Sequence, residues 1–207
     1  MDPLNTLASV MNRTAISPLV ENALQKVQRA KFVSPQWQAR ASEDRPLPIG
    51  EGQTAPQPSL IAYMTEQLGL TSKSRVLEVG TGSGYHTAIL AELVSEVYTV
   101  ELLPSMAAAA EQRLKEMNYS NIAFRVGDGT LGWKEAAPFD AILVTAAGRA
   151  LSPELITQLR AGGKMLAPLG EPEGEQTLVL VETKDSGEWR RSDLCSVWFV
   201  PLVSASL

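Results

Sequence analysis

The residues best suited to chemistry stand where short apolar runs give way to glycine. The first run ends in Glu78-Val79-Gly80-Thr81-Gly82-Ser83-Gly84, the second in Glu101, the third in Gly127-Asp128-Gly129 and the fourth in Thr145-Ala146-Ala147. Glycines between a strand and a helix let a ligand reach bare backbone and the helix N-terminus. Glu101 stands 21 positions beyond Gly80, the place where a carboxylate meets ribose hydroxyls in nucleotide sites. A dinucleotide fingerprint would need glycine at Tyr85, and no Gly-Lys-Ser/Thr follows as in a P-loop. An acidic site with no Lys or Arg beside its loop suits a nucleoside that carries positive charge. S-adenosyl-L-methionine (AdoMet) is such a ligand, with an ammonium, a sulfonium and no phosphate.

Each residue also has a plainer reading. Gly80, Gly82 and Gly84 can make a tight strand–helix turn, Glu101 can be a solvated strand end, and Asp128 between glycines can be turn chemistry. His86, in the first helical turn after the loop, reads as a surface or packing residue rather than a base. Cys195, inside an apolar strand, reads as a small buried hydrophobe. Trp198 and Phe199 are candidates for the lining of a substrate cleft or for packing.

The elements that must position these groups alternate. Residues 17–31 read as a helix begun by Ser17-Pro18, with Leu19, Val20, Ala23, Leu24 and Val27 at helical spacing. Residues 34–58 hold five prolines and read as an irregular, extended segment. A helix over 58–70 follows, with Pro58 in its first turn. Then come a strand over 74–80, a helix over 82–94, a strand over 96–102, a helix over 105–117 and strands over 121–129 and 139–147. A helix over 152–160 is closed by Gly162-Gly163. Strands over 164–170, 177–185 and 192–203 end the chain, the last two antiparallel around a short turn. Strand–helix alternation predicts an α/β fold, a mostly parallel sheet with helices on both faces. In such sheets ligands bind outside the carboxyl ends of the strands, where the acidic and glycine positions stand.

Composition sets limits. A chain of 207 residues suits one domain. A net charge of −5 argues against general affinity for nucleic acid. One cysteine and one histidine allow no internal disulfide, thiolate cluster or multi-His site, so no metal is expected. No apolar run reaches membrane-spanning length, and the first 17 residues lack a signal-peptide layout. The expectation is a cytoplasmic protein.

The segments VLEVGTGSGYHTAIL, VGDG, APFDAILVTAA, LRAGGKMLAPLG and VWFVPLV, with DRPLPIGEGQT ahead of them, together resemble the protein-L-isoaspartate O-methyltransferase family, from about Val27 to Val203. The resemblance implies a seven-stranded class I, Rossmann-like AdoMet-dependent methyltransferase fold with an N-terminal helical extension. It implies one domain, with helices and a substrate or lid segment over 1–70 and the AdoMet-binding sheet over 74–207. It implies methylation of the α-carboxylate of L-isoaspartyl residues in damaged proteins; charge and hydropathy leave no nucleic acid or membrane partner expected, and a monomer is favoured although the sequence does not give the oligomeric state. By similarity, Gly80, Thr81, Gly82, Ser83 and Gly84, with Glu78, would line the methionine end of AdoMet. Glu101 and Leu102 would hold the ribose, Asp128 and Gly129 would meet the adenine, and Thr145 would complete the wall. Gln53 and Thr54 would cover the sulfonium and face the substrate.

One departure matters. The family pattern T-x-S-x-P places a catalytic serine hydroxyl where this chain has Pro56. Glu51 also stands where a histidine is common and Ser42 where an aromatic is common. Cofactor binding is untouched by these changes, and Thr54 is the hydroxyl best placed to substitute, ahead of Ser59. Two other readings stay open: a different carboxylate acceptor on the same fold, and a non-catalytic AdoMet-binding protein.

Overall fold

The computed structural model describes residues 13–171 and 174–204; most of the first 17 residues, read above for a signal, lie outside them. Seven strands form one sheet: β3 (Arg75–Val79), β4 (Glu96–Glu101), β5 (Ile122–Val126), β6 (Phe139–Val144), β7 (Leu159–Gly170), β8 (Gln176–Thr183) and β9 (Trp189–Val197). Their spatial order is β5-β4-β3-β6-β7-β8-β9. The pairs from β5 to β7 are parallel, and β8 is antiparallel to both of its neighbours. The chain fills one side of β3 and then crosses to the other with β6. That reversal opens a crevice at the carboxyl ends of β3 and β6.

Period-two alternation divides the strand residues between two cores. Val76, Val97, Ala141, Leu143 and Leu166 face one side, where α1 (Pro18–Lys26), α2 (Pro58–Leu68) and α3 (Tyr85–Leu93) pack. Leu77, Val100, Ile142, Val144 and Met165 face the other. There the cover is thinner: the one-turn α5 (Pro153–Ile156) and 3-10 turns. Helix α4 (Pro104–Glu116) lies against β4 and β5.

Several elements differ from the sequence reading. The helix expected over 17–31 ends at Lys26. Val27 is extended, and Arg29–Phe32 form a 3-10 turn with Arg29 and Phe32 buried. The groups that gather around Arg29 lie in the next segment, a tertiary contact that no local pattern encodes. The segment 34–58 is not wholly irregular. It contains a 3-10 turn over Pro35–Arg40 and a hairpin of β1 (Leu47–Gly50) and β2 (Gln53–Ala55), with Glu51 and Gly52 at its tip in left-handed backbone. The helix expected over 152–160 stops at Ile156. Leu159 already pairs with Phe139, and Gly162-Gly163 fall in an irregular step of the β6–β7 register. Gln158 explains the early stop: its side chain accepts from Trp133 N at 2.7 Å and its carbonyl accepts from Phe139 N at 2.8 Å.

Candidate active site

A cavity of about 270 Å³ opens at the carboxyl ends of β3, β4 and β6. Its wall includes Gly80, Thr81, Gly82 and Ser83 of the glycine loop, Glu101 and Leu102 after β4, Gly129 after β5 and Thr145 after β6. Gln53, Thr54, Ala55 and Pro56 of the hairpin close one side, and Val200–Val203 close another. Glu101 is the wall's carboxylate, and among the described residues no Lys or Arg lines it.

The parallel register sets this convergence. Val79 is level with Val100 on one side and Val144 on the other. The residues that follow all three strands therefore leave the sheet together. Gly80 has φ +98°, and a Cβ there would meet Thr145 Oγ1 at 2.3 Å. The Thr145 hydroxyl donates to the Gly80 carbonyl at 2.7 Å, with the Val79 carbonyl at 3.0 Å. It thus fixes the loop's first bend. A Cβ on Gly129 would meet Val79 Cγ1 at 2.4 Å, so only glycine lets this turn lie against β3. The Glu101 carboxylate accepts from Gly82 N at 2.8 Å and from Leu103 N at 3.1 Å. It is held by backbone on both oxygens and retains further lone pairs for a ligand's hydroxyls.

Three expected contacts lie elsewhere. Glu78 is not on the rim: it is fully buried beneath the loop, because a strand residue one short of the end points into the sheet's cover. Its Oε2 accepts from Thr87 Oγ1 at 2.6 Å and Thr99 Oγ1 at 2.7 Å, and Thr81 Oγ1 meets Thr99 Oγ1 at 2.6 Å. Its Oε1 has no hydrogen-bond partner. Gly84 starts α3 and packs on Leu114 of α4 instead of the cavity. Asp128 turns its carboxylate away, accepting from Thr130 N at 2.9 Å and from Ser204 Oγ at 2.6 Å, while its neighbour Gly129 reaches the wall.

His86 is a wall residue but not a surface one. Thr65 Oγ1 donates its single proton to the Ile61 carbonyl at 2.7 Å. The 2.9 Å contact between Thr65 Oγ1 and His86 Nε2 must therefore be donated by the imidazole. This places a proton on Nε2. Burial pushes its pKa down to about 3, so it cannot serve as a base of useful strength near neutrality.

On the hairpin side, Thr54 is exposed and lines the cavity; its hydroxyl makes no hydrogen bond among the described residues. Ser59 lies outside the wall, its N–H donating to Asp44 Oδ1 at 2.9 Å. Gln53 Nε2 donates to the Glu51 carbonyl at 3.2 Å. Glu51 Oε1 accepts from Ser105 Oγ at 3.2 Å and ties the hairpin tip to α4. Ser42 is exposed and outside the wall. Trp198 and Phe199 do not line the cleft: Trp198 is 68% exposed and Phe199 joins the core, its N–H held by Gln176 Oε1 at 2.7 Å. The strand expected to run to 203 ends at Val197, which frees Val200–Val203 to cross Ala147 and enter the wall. Sequence reasoning missed that role because an apolar terminal run reads as more strand.

The two titratable groups buried under the wall give opposite pH signatures. Burial pushes the Glu78 carboxyl from 4.5 up to about 7. Between those values the unfolded chain releases a proton that the folded chain keeps, so this contribution to stability is full below the window and is lost as pH rises through it. His86 has 6.5 as its ordinary value and about 3 when folded. Its contribution is full above 6.5 and is lost as pH falls. Over pH 4.5–6.5, where both act, Glu78→Gln makes the stability of the ligand-free chain rise more steeply with pH than wild type, and His86→Gln makes it rise less or fall. Urea midpoints across that range measure both slopes, and parallel curves for all three chains would contradict the assignment.

Residues 6–207 match the family model described as protein-L-isoaspartate(D-aspartate) O-methyltransferase. Protein-L-isoaspartate O-methyltransferase 2 of Syntrophobacter fumaroxidans is 48% identical over 93% of this chain and 78% of its own length. Protein-L-isoaspartate O-methyltransferase of Anaeromyxobacter dehalogenans is 52% identical over 88% of each chain. Among solved structures, one protein-L-isoaspartate O-methyltransferase superposes with a TM-score of 0.83 at 26% identity, covering 94% of this chain and 64% of that one. The beta-aspartate methyltransferase (PCMT) of Plasmodium falciparum, in complex with S-adenosyl-L-homocysteine, superposes with a TM-score of 0.80 at 25% identity, covering 96% and 99%. The chain therefore belongs to the protein-L-isoaspartate(D-aspartate) O-methyltransferase family.

Proposed function

We propose that this chain transfers a methyl group from AdoMet to the α-carboxylate of L-isoaspartyl residues in damaged proteins. The observation that carries the reading is the cavity itself. It combines the Glu101 carboxylate with bare glycine backbone and no cationic side chain, and the GQT hairpin stands over it. These features fit a cationic nucleoside and not a polyphosphate.

In this reading Glu101 accepts the ribose hydroxyls and Leu102 packs beside them. Gly80, Thr81, Gly82 and Ser83 offer backbone to the methionine end. Gly129 meets the adenine, with Asp128 holding its turn, and Thr145 shapes the loop. Gln53 and Thr54 cover the reacting centre. AdoMet supplies a methyl group already activated by its sulfonium. The acceptor carboxylate oxygen forms the bond to the methyl carbon as the carbon–sulfur bond breaks, and the thioether leaves with the electron pair. A carboxylate is ionised at neutral pH, so no proton is moved and a neutral His86 is no handicap. The chain's task is to align the reactants and exclude water. The single domain, its 1–70 portion on the acceptor side, a monomeric state and a cytoplasmic setting complete the proposal; the composition and one buried cysteine suit it.

Labelled AdoMet offered with an isoaspartyl peptide and its aspartyl twin tests the reading. Preferential labelling of the isoaspartyl peptide is expected; equal or absent labelling would refute it, and label in another carboxylate would point to a different acceptor. Pro56→Ser restores a hydroxyl on the wall. Because a hydrogen bond to a charged group contributes ~1.5–3 kcal/mol, turnover on the isoaspartyl peptide should rise about tenfold or more. An unchanged rate would mean that Thr54 already fills the role. Glu101→Gln keeps the shape and removes the charge, and calorimetry should show AdoMet affinity reduced about tenfold or more for the same reason.

A further inference from the structure

A polar group with five backbone partners in the N-terminal segment belongs to none of the roles above. Arg29 is 5% exposed, in the 3-10 turn after α1. Its Nη1 donates to the carbonyls of Ala41 at 3.3 Å and Glu43 at 3.1 Å. Its Nη2 donates to those of Arg45 at 2.9 Å, Ala55 at 3.3 Å and Pro56 at 2.9 Å. No carboxylate forms an ion pair with it among the described residues. The guanidinium lies 6.0 Å from the ring centroid of Tyr85, a residue of the cavity wall.

Burying a cation against carbonyl dipoles alone is costly. Burial indeed lowers the pKa of Arg29 below its ordinary value. A carbonyl cage of this kind holds backbone, and the backbone it holds is specific. Two of the five carbonyls, Ala55 and Pro56, belong to the cavity wall on the acceptor side, directly after Thr54. The other three belong to the segment 41–45, whose Asp44 accepts from Ser59 N at the start of α2. One fork of N–H groups thus joins the segment before the hairpin to the loop after it. Only a planar group with donors in fixed directions can span them; a lysine ammonium cannot.

We propose that Arg29 is a positioning residue for the acceptor, a buried clamp that presets the path of Ala55-Pro56 and with it the placement of the Thr54 hydroxyl. Glu101, the glycine loop, Thr145 and Val200–Val203 make no hydrogen bond to Arg29, whose contact with the cofactor half is the ring of Tyr85. The proposal rests on the carboxyl methyltransferase reading for its kinetic test but not for its structural one.

The test uses the full chain with Arg29→Lys and Arg29→Gln, at temperatures where both melt cooperatively above the assay. With isoaspartyl peptide, kcat/KM should fall at least ~10-fold, most of it in the peptide KM, because small misplacements of a reacting group cost that much. Calorimetric AdoMet affinity should change less than about threefold, within the usual independence of separated sites. Arg29→Lys should recover little despite keeping the charge. Hydrogen exchange should speed up over 41–57 while β3 and β6 stay as protected as in wild type. Unchanged peptide KM with unchanged exchange over 41–57 would overturn the clamp. So would a parallel loss of AdoMet affinity, peptide rate and protection throughout the sheet, which would make Arg29 merely structural. If either variant fails to fold, wild-type exchange decides: 41–57 must be protected without ligand, and rapid exchange there overturns the proposal. A wild type inactive on isoaspartyl peptide would refute the acceptor reading alone, leaving the exchange result to judge the clamp.

Discussion

The site depends on one close approach, that of Gly80 to Thr145. A side chain at Gly80 would collide with the Thr145 hydroxyl, and the hydroxyl donates to the Gly80 carbonyl. This contact welds the end of β3 to the end of β6 at the place where the sheet changes winding direction. The loop's left-handed bend then directs Gly82 N–H toward the end of β4, where Glu101 receives it. The loop goes on to Gly84 and α3. Had β3 paired with β6 one residue out of register, Thr145 would face the other side of the sheet and the bend would have no anchor. The cavity is thus a consequence of strand register, made permanent by backbone that carries no Cβ.

Beneath that floor the chain keeps several polar groups out of water. Glu78, Thr87, Thr99 and Thr81 form one connected set, and His86 with Thr65 forms another. Buried polar groups are tolerated when they are bonded, and most of these are. The two atoms that are not are Glu78 Oε1 and His86 Nδ1. In the neutral ring His86 Nδ1 is an acceptor, and burial raises the Glu78 carboxyl to about 7.

The sheet was legible because its strands are apolar runs broken by glycine at the same level, which is what parallel strands covered on both faces require. The glycine loop and Glu101 were legible for a related reason: backbone bared to a cavity leaves a compositional mark. Glu78 was misplaced because alternation along β3, not proximity to the loop, decides where a side chain points. The early end of α5 was hidden since Gln158 is engaged by residues about 25 positions earlier. The same holds for Arg29, whose partners lie 12 to 27 positions away along the chain. Tertiary hydrogen bonds of this sort leave no periodic trace. Val200–Val203 show the opposite failure: their pattern was plain, but an apolar run does not say whether it continues a strand or crosses a ligand site.

Pro56 is best understood against what the reaction asks of the protein. An ionised carboxylate and a methyl on a sulfonium need no proton transfer, so a missing hydroxyl removes orientation and not chemistry. Proline supplies some orientation of its own. It has no N–H to compete for the acceptor, its φ is fixed, and it restrains Ala55 to extended backbone. Its carbonyl is held at 2.9 Å by Arg29. The wall beside Thr54 is therefore stiff, and stiffness favours acceptors whose carboxylate arrives at one angle. A serine there would add a donor that pivots about χ1 and suits a carboxylate over a wider range of approach. In the proposed reaction, proline at position 56 offers a preset path where a serine would offer a directed hydrogen bond.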